Sequence, residues 1–170
     1  MTNHESAPES SLKRATTKYV PHEDRIRLTG ENASGLIVEM WLTQRLLNRM
    51  VPPLCGWLER RGGEDLQDFA QKKAVAGMQR QPPVRSLSDA DGVLVREIDV
   101  KTAKAGVLLT FKGASDSAAG QFQLSPRALR QWLSILHDQY VKAGWALGMW
   151  PDWIAEVRSS VQPDRTTLLH

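Results

Sequence analysis

One cysteine, Cys55, stands in the whole chain of 170 residues. Its solitude excludes an internal disulfide and any zinc site built on several thiolates, and it fits a reducing compartment. No apolar run approaches the roughly 20 residues that a membrane-spanning helix needs, and the start, 1–11, lacks the apolar core of a signal peptide. The expected location is therefore cytoplasmic, with no membrane as partner. Charge of one sign is also scarce: 22 Lys and Arg stand against 19 Asp and Glu, a net charge of +3. The excess is spread thinly along the sequence, whereas a phosphate-binding surface gathers its cations on one face. Only Arg25, Arg27, Arg45, Arg49, Arg60 and Arg61 come near such a concentration.

Motifs that announce chemistry are missing as well. There is no Gly-x-Ser-x-Gly elbow, no Gly-x-Gly-x-x-Gly and no Gly-x-x-x-x-Gly-Lys phosphate cradle. Cys55 sits in an apolar helical stripe between Leu54 and Trp57, where a thiol acts as a small hydrophobe. Of the four histidines, His4, His22 and His170 lie in or beside the tails. His137 has only Asp138 beside it, and neighbours on a helix point about 100° apart. Asp89-Ala90-Asp91-Gly92 resembles the opening of a calcium loop, but the twelfth position is Val100 where a bidentate Glu is required, so it reads as a hairpin turn. Glu97 and Asp99 share a strand face flanked by Arg96 and Lys101, which reads as a solvated surface. No enzyme, metal site or cofactor is expected from this inventory.

What the sequence does contain is alternation. In 24–42, Ile26 and Leu28 alternate with Arg25, Arg27 and Thr29. A Gly-containing turn and an apolar strand follow, then a helix entered at Thr43. A second stretch, 107–143, repeats the order, with Ser125 as the cap and Pro126 at the first helical position. Duplication of a ββα unit and convergence of two similar units both account for this. Pro52-Pro53 falls inside the first helix and predicts a kink or a break. Gly30, Gly35, Gly106, Gly113 and Gly120 read as hairpin glycines.

The expected organisation is a polar, disordered tail over 1–22, a single α+β domain over 23–158, and a polar C-terminal tail over 159–170. Within the domain lie a ββα unit at 24–61, a connector helix at 64–79 with Leu66, Phe69, Ala70, Lys73, Ala76 and Gly77 as its thin apolar stripe, a meander plus helix at 84–143, and a Trp-rich segment at 145–157. The fold class is an antiparallel sheet of five to seven strands with two main helices on one face. Two functions are carried forward. The first is a small accessory or adaptor protein acting through protein–protein contact, self-associating as a homodimer, with Trp145, Met149, Trp150 and Trp153 as the candidate interface. The second is a nucleic-acid-binding module using a basic sheet face made of Arg25, Arg27, Lys101 and Lys112.

Overall fold

The computed structural model describes residues 10–79, 81–86, 92–115 and 117–159. Seven strands and four helices follow in the order β1 (Leu12–Val20), β2 (Arg25–Asn32), β3 (Ile37–Leu42), α1 (Gln44–Glu59), α2 (Glu64–Ala76), β4 (Val93–Leu94), β5 (Glu97–Ala103), β6 (Gly106–Lys112), β7 (Ala118–Leu124), α3 (Pro126–Ala143) and α4 (Asp152–Ser159). The architecture is α+β, as expected, but its strands are divided between two sheets, β1-β2-β3-β4 and β5-β6-β7. Pairing is antiparallel except between β3 and β4. The chain passes from one sheet to the other at Val95-Arg96, where Val95 N–H donates to Trp41 O and Arg96 N–H to Lys112 O. A parallel bridge between Ser11 and Gln121 joins β1 to β7 at the far side.

The tail expected over 1–22 ends earlier than composition implies. Leu12–Val20 is a full strand because β2 supplies its backbone partners and one of its faces, Ala15 and Thr17, is buried. A segment poor in apolar residues can order when a neighbour satisfies its ladder. The meander expected to begin at 84 has no strand in 81–86, which crosses the first sheet instead, Val84 N–H donating to Thr16 Oγ1. Gly30 and Gly120 are not turn residues but lie within β2 and β7. A Cβ on Gly30 would stand 2.5 Å from Leu12 Cδ1, and one on Gly120 would stand 3.0 Å from Met40 Cε. Gly120 thus lets the two sheets approach, whereas Gly30 makes room for Leu12 of its own sheet.

Both helix caps are found: Thr43 Oγ1 accepts from Leu46 N–H at 3.3 Å and Ser125 Oγ from Ala128 N–H at 3.1 Å. Pro52 and Pro53 do not break α1, which runs uninterrupted for 16 residues. Interior proline costs about 3 kcal/mol. That cost is offset by the burial of Met50, Val51, Leu54, Cys55, Trp57 and Leu58 around the two exposed rings. α3 ends at Gly144, whose φ of 69° is the left-handed cap conformation. The buried faces of both sheets, α1 and α3 form one apolar cluster. Among the described residues no helix is long and apolar enough to cross a membrane.

Candidate anion-binding face

Antiparallel register decides which side chains of the first sheet share a surface. Lys18 lies opposite Arg27 and Thr16 opposite Thr29 across β1–β2. Arg27 lies opposite Trp41 and Thr29 opposite Glu39 across β2–β3, and Trp41 is registered with Leu94 of β4. All of these point away from the core, because the alternate positions, Ile26, Leu28, Met40 and Leu42, are completely buried.

The segment 81–86 lies over this outer face. Val84 is buried there and its N–H donates to Thr16 Oγ1 at 2.9 Å, while Ser86 Oγ donates to Glu39 Oε2. Between segment and sheet is a cavity of about 370 Å³ lined by Thr16, Lys18, Arg27, Thr29, Arg85 and Ser86, among others. Glu39 is the carboxylate beside it. Its contact with Arg27 is made through Nε at 3.9 Å, longer than a hydrogen bond, so Arg27 is only loosely neutralised.

A second cavity, of about 280 Å³, opens where α1 begins. Arg45 and Arg49 from the helix, Arg96 from the β4–β5 link, and the edges of Thr43, Leu46 and Leu94 line it. Trp41 is paired with a lining residue of each cavity, Arg27 of the first and Leu94 of the second. That ring is half-buried, its Nε1 edge against the backbone of Gly92. The fold thus gathers six cations from five separate stretches of chain. Among the described residues, the ion pair of Arg27 with Glu39 is the one such contact that any of the six makes.

The four residues expected from sequence to share a basic face fall on two different sheets. Arg25 and Arg27 lie on this surface. Lys101 and Lys112 do not, since they belong to the second sheet, where Lys112 Nζ pairs with Asp99 Oδ2 at 2.5 Å and holds that carboxyl below its usual range. Lys18 was hidden by the tail assignment, although Arg14, Thr16 and Lys18 alternating with Ala15, Thr17 and Tyr19 carried a strand signal. Arg60 and Arg61 sit at the other end of α1, with Arg61 stacked 4.6 Å over Trp57.

The aromatic residues expected as an interface at the C-terminal segment are placed in the core of this chain. Trp145, Trp150 and Trp153 are each less than 9 % exposed and belong to the core; Met149 is half-buried against it. Tyr140 explains this, for its ring meets Trp145 and Trp150 edge-on at 5.0 and 5.2 Å, so the segment folds back over α3. Trp145 Nε1 donates to Asp24 and Trp153 Nε1 to Glu59, which ties the segment to the β1–β2 turn and to α1.

Cys55 and His137 lie in the interior. Cys55 is buried and its thiol is pushed up to about 12, chiefly by burial, so it is not a thiolate at neutral pH. His137 is buried with its ring edge-on to Trp150 at 5.1 Å. Among the described residues no group of three or more His, Cys, Asp or Glu could hold a metal ion. Asp89 to Asp91, His4 and His170 lie outside the described residues. No protein-family model, curated protein or solved structure matches this chain.

Proposed function

We propose that the chain is a nucleic-acid-binding module whose contact surface is the outer face of the first sheet. The observation that supports it is the pair of cation-lined cavities, Lys18–Arg27–Arg85 and Arg45–Arg49–Arg96, flanking Trp41. Phosphate oxygens are satisfied by Arg and Lys, and an aromatic between cations offers a base a stacking surface. Fluorescence anisotropy with single- and double-stranded oligonucleotides at rising salt tests it. Affinity should fall steeply with salt, and Lys18→Glu with Arg27→Glu should reduce the slope of log K against log salt by about 1.5 to 2. A wild-type protein that binds neither strand type at low salt would overturn the reading.

A second reading, an adaptor that associates with itself or another protein, is favoured by one observation. Leu66 and Phe69, one turn apart on α2, are 57 % and 67 % exposed. Light scattering of wild type and Phe69→Glu addresses the self-association part: a concentration-dependent mass lost in the variant supports it, and an invariant monomer removes it.

A further inference from the structure

We infer that the cavity beneath residues 81–86 receives a terminal phosphate monoester of a nucleic-acid strand, rather than an internal phosphodiester. The inference rests on the nucleic-acid reading above and adds the part of the ligand that this cavity selects. Charge is the first argument. Lys18, Arg27 and Arg85 bring three positive charges to the cavity and Glu39 one negative charge to its edge, leaving two to be balanced. A phosphate monoester carries about −1.5 to −2 at neutral pH. An internal diester carries a single charge and would leave one cation of the cavity without a counterion.

Shape and donors are the second argument. Thr16 and Thr29 are almost fully buried, yet both line the cavity together with Ser86. Thr16 Oγ1 already accepts the Val84 N–H, so its own proton is the part left to donate inward. A monoester presents three acceptor oxygens to such hydroxyl and guanidinium donors. The segment above the sheet closes one side of the cavity, which suits the end of a strand better than a backbone that must enter and leave. The second cavity differs in its donors: Arg45, Arg49 and Arg96 share its lining with Leu46, Leu94 and Val95, and the hydroxyl there, that of Thr43, is not buried and already caps α1.

The test compares oligonucleotides of one sequence carrying a 5′-phosphate, a 3′-phosphate or only hydroxyl ends, by anisotropy at fixed salt. One phosphorylated end should bind about tenfold or more tightly than the hydroxyl strand. Lys18→Ala and Arg85→Ala, both exposed positions whose loss leaves the core intact, should abolish that preference. Arg45→Ala with Arg49→Ala should instead weaken all three strands alike. Inorganic phosphate should compete selectively with the phosphorylated strand. Equal affinity for phosphorylated and hydroxyl ends would overturn the inference while leaving the nucleic-acid reading in place. Failure of all strands to bind removes both. A phosphoserine peptide binding as tightly as the phosphorylated strand would overturn the assignment to nucleic acid.

Discussion

Asp24 shows how much one side chain can organise. It closes the β1–β2 turn with φ at 51°, a left-handed conformation that Asp and Asn tolerate better than most residues. Its Oδ1 accepts from Tyr19 Oη at 2.7 Å and from Trp145 Nε1 at 3.0 Å, joining the hairpin to a segment 121 residues away. These two hydrogen bonds, Tyr19 first, hold the carboxyl below its usual range. A group whose folded pKa is depressed stabilises the fold above its unfolded pKa, about 3.9 for Asp, and that contribution is lost as pH falls through the folded value. Asp24→Asn keeps the turn conformation but removes the charge. The variant should therefore melt below wild type at pH 7, and the difference should shrink as the pH drops below about 4. A difference unchanged at pH 3 would mean that the ionised carboxylate contributes nothing. The caps Thr43 and Ser125 were readable in advance because their bonds reach three residues along the chain. Asp24's bond to Trp145 was not, because no local pattern encodes a partner at that separation.

At the scale of the element, α2 is the instructive case. Sequence periodicity assigns Leu66, Phe69, Ala70 and Lys73 to its inner stripe, yet the buried positions are Gln67, Gln71, Ala74 and Val75. The reversal follows from Arg130 of α3, which is buried and needs acceptors. Gln67 Oε1 accepts from Arg130 Nη2 at 2.6 Å, Gln67 Nε2 reaches the carbonyls of Leu58 and Gly63, and Gln71 Nε2 donates to Arg130 O. The guanidinium also stacks 5.2 Å over Trp153. Burial lowers the Arg130 pKa, the sign expected of a cation held away from water. A buried charge left without its partner is costly, so a polar helix face turned inward wins over an apolar one. Gln67→Leu should then cost about 2 to 3 kcal/mol, although it makes the buried face more apolar. Phe69→Glu, on the exposed face, should stay within about 0.5 kcal/mol of wild type. Urea unfolding of both separates the two faces. If Phe69→Glu were the more damaging, α2 would be packed the way its hydrophobic pattern reads.

Over the whole molecule, the same limit governs what the sequence could disclose. Strand and helix types, two capped helices and the α+β class depend on short periods and were legible. The cationic face was not, since Lys18, Arg27, Arg45, Arg49, Arg85 and Arg96 become neighbours only once β1, β2, α1 and the links around β4 are in place. The tryptophans posed the converse problem: composition marks them as sticky, and only the packing says against what. Trp150 lies between His137 and Tyr140 of α3, and Trp145 and Trp153 bind the same segment to the β1–β2 turn and to α1. The C-terminal segment thus links three parts of the chain that are far apart in sequence, and weakening it should loosen all of them together. Trp150→Ala should cost about 3 to 5 kcal/mol, the usual penalty for removing a buried Trp side chain. Trp150→Phe should cost much less, because it keeps an aromatic ring against Tyr140 and removes an indole N–H that has no hydrogen-bond partner among the described residues. Far-UV circular dichroism and tryptophan fluorescence should report a single shared transition for Trp150→Ala, shifted to lower temperature. Two separated transitions would mean that the segment is an appendage to an independently stable sheet, and a shift equal to that of Trp150→Phe would mean that the ring's contacts with Tyr140 and His137 carry no weight.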